Sequence, residues 1–196
     1  MPRSDRERLT LGLPNKLYRA LWGAAWFILA AWTPPQLHIW RIAVLKLFGA
    51  SVSRTARVYG STRVWDPRNL VMEPNSTLGP NSICYSMAKV SIGRNSIVSQ
   101  GAHLCTGTHD FDDPTFPLLV APIRIDKNVW VAADAFVGPG VRIGEGAILG
   151  ARALAMRDLA SWTVYSGNPA AVLRPRRQYK SRQYSSESVA GLEKKQ

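Results

Sequence analysis

Residues 123–155 read IRIDKNVWVAADAFVGPGVRIGEGAILGARALA, and a large aliphatic residue stands at every sixth position: Ile125, Val131, Val137, Ile143 and Leu149, with Ala155 closing the series. Two residues ahead of each stand Ile123, Val129, Ala135, Val141, Ala147 and Ala153. Each unit therefore offers two inward side chains with one outward side chain between them, as strand alternation requires. The residue after the main aliphatic is small or acidic (Asp126, Ala132, Gly138, Gly144, Gly150), which suits a corner where positive φ or a short polar side chain is tolerated. Alternation this short cannot build a wide sheet. It can build the narrow flats of a solenoid whose coils pair in parallel. A sandwich of hairpins would need about 8 to 12 residues per strand and turn.

The same period appears upstream at Met72, Leu78 and Cys84, then slips by two residues and resumes at Ile92, Val98 and Leu104. Val52, Val58 and Val64 keep the spacing, but Arg54, Gly60 and Asp66 fit poorly as inward partners and predict an irregular first coil. Residues 107–122 (GTHDFDDPTFPLLVAP) break the period, so a loop leaves the solenoid there, and loops on rigid scaffolds commonly carry function. Three parts follow: residues 1–50, a helical cap or membrane-surface segment; residues 51–167, the solenoid with its inserted loop; and residues 168–196, a basic tail.

In the first part Leu17, Leu21, Trp22, Ala25 and Ile28 follow helical spacing, and a second helix is expected from Leu37 to Phe48. The apolar run from Ala20 to Trp32 ends at Pro34 and Pro35, short of the roughly 20 residues a membrane-spanning helix needs. Trp22, Trp26, Trp32 and Trp40 beside Arg3, Arg6, Arg8, Lys16, Arg19, Arg41 and Lys46 suit either a cap over the open end of the solenoid or peripheral contact with an anionic bilayer. Lys and Arg number 25 against 13 Asp and Glu, a net charge of +12 that favours an anionic partner. The cations are scattered and no base-reading motif accompanies them, so nucleic acid is not expected. Cys84 and Cys105 both fall within periodic segments and read as reduced thiols, consistent with a cytoplasmic protein.

The strings STLGPN, VSIGRN, VRIGEG and AILGAR resemble the hexapeptide-repeat acyltransferases. WDPRNL, SIVSQGAHLCTGTHD, WVAADAFVGPGVRIGEGAILGAR and SGNPA resemble, more narrowly, the colanic acid biosynthesis acetyltransferase branch. The resemblance implies a left-handed parallel β-helix, an all-β solenoid of about five triangular coils of about eighteen residues each. It further implies a homotrimer with sites between subunits, and acetyl-coenzyme A as donor to a hydroxyl of a sugar or glycan acceptor, in a surface polysaccharide or its lipid-linked precursor. An amino-sugar acceptor is the alternative within the same chemistry, and a non-catalytic assembly module the alternative outside it.

By the same resemblance His109, in THDFDDP, is the general base for the acceptor hydroxyl, a task that suits histidine near neutral pH. Asp110 either orients it or caps a turn. Tyr85 and Ser86 stand where sugar acetyltransferases often carry asparagine, and His103 precedes inward Leu104 and so faces outward; with Trp130 they form the expected acceptor side. Trp130, Ala133, Gly150, Ala151, Arg157, Arg174 and Arg177 form the expected cofactor side, with the Ala133 amide as oxyanion donor and the arginines for phosphate. No metal is expected, because a zinc site on this scaffold needs three convergent histidines and only His103 and His109 lie in the repeats; His38 lies in the helical part.

Overall fold

The computed structural model describes residues 7–9 and 12–177. Arg3, Arg6 and the tail from residue 178, including Lys180 and Arg182, lie outside them. The repeats wind into a left-handed parallel β-helix with three walls. The first wall holds Ser51–Val52, Leu70–Met72, Val90–Ile92, Ile123–Ile125 and Arg142–Ile143; the second begins at Arg57–Val58 and runs through Trp130–Val131 and Ile148–Leu149; the third runs from Arg63–Val64 through His103–Cys105 to Leu154–Ala155. Five turns are complete. A sixth, beyond the expected five, is partial: Leu159 bridges to Ile143 on the first wall, and Thr163–Ser166 extends the second before the antiparallel Ala171–Pro175 closes it.

The core is the predicted column of aliphatics: Val58, Leu78, Val98, Val131 and Leu149 on the second wall are completely buried, as are Ala135 and Ala147 at the corners. Ser76, Ser82 and Ser96 are equally buried, and their hydroxyls donate to the carbonyls of Glu73, Gly79 and Asp126 at 2.6, 2.7 and 2.7 Å, which removes the penalty for an unpaired polar group.

The corners correct the sequence reading in one respect. Positive φ falls three residues after the main aliphatic, at Asn75, Asn81, Asn95, Asn128, Asp134 and Arg152, and not on the residue that follows it. That residue is often glycine for want of space. A Cβ on Gly93 would lie 2.6 Å from the Asp126 carbonyl carbon, and one on Gly144 2.7 Å from the Ser161 nitrogen, because the next turn crosses directly against it. The first coil is also more regular than expected. The inward partners of Val52, Val58 and Val64 are Ala50, Ala56 and Thr62, two residues before each and all buried. Arg54 and Gly60 belong to corners. The two-residue slip is real in register: Val52 pairs with Met72 (72 − 52 = 20), whereas Ile125 pairs with Ile143 (143 − 125 = 18).

Two helices cover the start of the solenoid, α1 (Leu13–Leu29) and α2 (His38–Leu47). The indoles of Trp22 and Trp26 face the first coil and donate to the carbonyls of Val64 (2.7 Å) and Gly60 (3.1 Å). Trp32 and Trp40 point away from it. Arg41 is completely buried, and its guanidinium donates to the carbonyls of Thr33, Pro34, Pro35 and Val58 and to the Thr33 hydroxyl at 2.6 to 3.2 Å. This one side chain ties the turn between the helices to the second wall.

Candidate active site

The loop leaves the prism at the edge between the third and first walls. Gly107–His109 pairs antiparallel with Leu118–Val120, and Glu7–Arg8 adds a third strand on the far side. The loop base is tight: a Cβ on Gly107 would lie 2.9 Å from Met87 Sδ and 3.3 Å from the Tyr85 ring. A larger residue there would have to displace the Met87 side chain. At the tip Asp113 accepts from the Thr115 amide (2.9 Å) and hydroxyl (2.7 Å), contacts that hold its carboxyl below the usual aspartate range.

His109 is exposed at the end of its strand, and its Nδ1 lies 2.7 Å from the Phe116 carbonyl oxygen. A carbonyl only accepts, so Nδ1 carries the proton and Nε2 is left as the lone-pair nitrogen. Phe116 has φ of 45°, and this left-handed kink turns its carbonyl toward the imidazole. The imidazole's hydrogen-bond partner is thus the Phe116 carbonyl, while Asp110 Oδ1 accepts the Asp112 amide at 3.3 Å, the turn-capping alternative of the two expected for it. A main-chain carbonyl has no side-chain signature, so the Phe116 contact is not legible in the sequence.

Tyr85 and His103 face outward on the third wall in a column with Trp65 and Phe136; centroids are 4.5 Å apart for Trp65 and Tyr85, 6.5 Å for Tyr85 and His103, and 5.1 Å for His103 and Phe136. His103 is half-buried between its neighbours. Its Nε2 has no hydrogen-bond partner among the described residues, and desolvation lowers its pKa. Ser86 does not join this face. It is completely buried, accepting the Asp66 amide at 3.1 Å and donating to the Asp66 carbonyl at 2.9 Å, so its hydroxyl knits two turns together and cannot meet an acceptor.

The expected cofactor residues lie elsewhere on the prism. Trp130 stands on the second wall, 45% exposed, between Ile97 and Ile148, and donates from Nε1 to Ser99 Oγ at 2.8 Å. Ala133 and Ala151 occupy successive corners of the edge between the second and third walls, linked by Arg152 N–H donating to the Ala133 carbonyl at 2.9 Å. Their own amides are not engaged by any other group among the described residues. Gly150 begins the second of these corners.

Arg174 lies across from Val164 on the closing strand, and with Ile148, Arg176 and Arg177 it lines a cavity of about 430 Å³. Arg176, part of the basic run after the repeats, joins this group although only Arg174 and Arg177 were expected there. Its Nη1 donates to the Asn128 and Gly146 carbonyls, both at 2.8 Å, and pins the chain end along the second wall. Arg157 departs from the expected group. It follows Leu154–Ala155 and so sits on the edge between the third and first walls, the edge that carries the His109 loop.

On one chain the predicted residues therefore fall into two separate groups. His109 and Arg157 share one edge; Trp130, Ala133, Gly150, Ala151, Arg174 and Arg177 occupy the second wall and its far edge.

No family model matches the chain. Escherichia coli K12 WcaF, assigned as a colanic acid biosynthesis acetyltransferase, is 36% identical over 162 residues, covering 83% of this chain and 89% of WcaF. Among solved structures, a maltose O-acetyltransferase from Clostridium difficile 630 superposes with a TM-score of 0.76 at 21% identity, covering 85% of this chain and 90% of that one. A hexapeptide-repeat acetyltransferase of Vibrio cholerae, solved with acetyl-coenzyme A, gives 0.75 at 18% identity, covering 85% and 91%.

Proposed function

Because this chain belongs to the colanic acid biosynthesis acetyltransferase branch of the hexapeptide-repeat acyltransferases, we propose that it moves an acetyl group from acetyl-coenzyme A to a hydroxyl of a sugar in a surface polysaccharide or its lipid-linked precursor. His109 is the general base in this reading. The observation that carries it is the 2.7 Å contact of Nδ1 with the Phe116 carbonyl, which leaves a basic Nε2 on the exposed end of a braced loop.

Nε2 takes the proton of the acceptor hydroxyl as the oxygen attacks the thioester carbonyl carbon. The carbon–sulfur bond then breaks, and the coenzyme A thiolate recovers the proton from the imidazolium. The Ala133 amide, free of internal partners, is the donor for the tetrahedral oxyanion. The Ala151 amide offers a similar donor one turn on for the extended pantetheine arm. Arg174 and Arg177 supply charge-assisted contacts for phosphate beside the second wall. No metal takes part in this scheme. The use of acetyl-coenzyme A as donor supports a cytoplasmic location. No helix of the described residues is long and apolar enough to cross a membrane.

The separation of the two groups, each a half-site in this reading, supports a homotrimer in which the His109 edge of one prism faces the second wall of its neighbour. Three equivalent sites follow, each completed by two chains.

The test is transfer of labelled acetyl from acetyl-coenzyme A to the organism's surface glycan fraction, with mass spectrometry of that glycan in cells with and without the gene. The expected result is O-acetyl, lost on mild alkali, that disappears with the gene and with His109→Ala. Alkali-stable N-acetyl would move the reading to an amino-sugar acceptor, and no change in glycan acetylation would remove it.

A further inference from the structure

Helix α1 is apolar on both sides. Trp22 and Trp26 face the prism, while Leu13, Leu17, Phe27 and Ile28 on the opposite side are 73%, 71%, 75% and 63% exposed. On α2, Ile42 and Leu45 are buried, whereas Ile39 and Leu47 are 68% and 78% exposed. A helix apolar all round is normally enclosed. These two are covered on one side only, and the uncovered apolar area runs across their junction through Trp32 and Trp40. Monomeric soluble proteins seldom carry so extensive an apolar surface without a partner.

Charge identifies that partner. Residues 8–65 contain no Asp or Glu, and Lys16, Lys46, Arg54, Arg57 and Arg63 are all exposed on this end of the prism. A twofold copy of the same face would set these cations against one another. An anionic bilayer would pair them with headgroup phosphates while its acyl region received the Leu, Ile and Phe side chains. The indoles fit this placement. Trp32 Nε1 donates to the Ile28 carbonyl and Trp40 Nε1 to the Leu29 carbonyl, both at 2.7 Å, so neither ring brings an unpaired donor into an apolar medium. Helices of 17 and 10 residues can lie in the interface but not cross it.

We propose that the outward faces of α1 and α2 form a docking platform for an anionic bilayer, seated at one end of the prism and separate from both half-sites. The assignment goes beyond the acetyl-transfer reading and does not depend on it. The test uses the full chain with vesicles of phosphatidylcholine, with and without phosphatidylglycerol, in flotation and in quenching of tryptophan emission by brominated acyl chains. Binding is expected only with phosphatidylglycerol, with quenching, and with release by salt.

Leu17→Glu combined with Ile28→Glu should weaken partition by about tenfold or more while leaving coenzyme A binding intact. If that variant fails to fold, Lys16→Glu with Lys46→Glu, which alters only exposed positions, should give the same loss. Equal binding to neutral and anionic vesicles, absence of quenching, or undiminished partition of a folded variant would overturn the proposal. So would a smaller particle mass of the folded Leu17→Glu, Ile28→Glu variant in lipid-free light scattering, which would make the face a contact between copies.

Discussion

His109 is fixed by Phe116: the imidazole Nδ1 and the Phe116 carbonyl are 2.7 Å apart, seven positions along the chain, and the carbonyl reaches the ring because Phe116 adopts φ of 45°. His109→Ala should therefore lower acetyl transfer by about two to four orders of magnitude with coenzyme A affinity little changed. Phe116→Gly, which accepts the left-handed backbone, should retain more kcat than Phe116→Val, whose β-branched side chain resists it. Steady-state kinetics on folded variants would check both, and equal kcat for Gly and Val would detach the base from the loop conformation.

The proposed trimer predicts complementation. His109→Ala chains and Trp130→Ala chains, each inactive alone, should regain activity when unfolded together and reassembled. With random mixing about a quarter of the sites receive both intact halves. A monomeric mass in light scattering at a concentration giving full activity would exclude the arrangement.

Arg174→Ala and Arg177→Ala should weaken coenzyme A more than pantetheine, since the lost contact is with phosphate, and added salt should shrink the difference. Calorimetric titration of the two ligands provides the comparison. An equal loss for both would point to disturbed packing of the closing strand.

Arg41→Leu should destabilise the amino-terminal end, because it removes the one donor group that joins the Val58 carbonyl and the buried Thr33 carbonyl and hydroxyl to the Pro34 and Pro35 carbonyls. A cost of about 3 kcal/mol or more is expected in denaturant unfolding. Proteolysis between α1 and α2 should accelerate with it.

His38 and His103 both sit below the ordinary histidine value of 6.5, chiefly through desolvation. The unfolded chain then binds more protons than the folded one as pH falls through that value, so their contribution is complete above about pH 6.5 and is lost on acidification. His103→Phe should flatten the fall in thermal midpoint between about pH 6.5 and 5. An unchanged slope would show that His103 does not contribute.

Legibility in the sequence followed the physics of each position. Burial repeats every six residues, so Val131 and Leu149 announced the core, and the absence of that period announced the His109 loop. Properties that depend on the neighbouring turn were hidden: Gly93 is required by the Asp126 backbone crossing it, and Ser86 is consumed by Asp66 on the turn before. Arg157 and Arg174 both read as phosphate ligands in one dimension, yet a triangular path puts them on different faces. The Phe116 carbonyl carries no side-chain signal at all.

The strand Glu7–Arg8 closes the outer edge of the loop hairpin, pairing with Val120 and Leu119, and Arg8 meets Asp113 at 3.3 Å. The hairpin that carries His109 is thus braced along its outer strand by chain that precedes it by about a hundred residues. An affinity tag fused ahead of Glu7, or a start codon chosen a few residues later, would tug on the business end of the molecule, and a poorly active preparation made that way would say more about the cloning than about the enzyme.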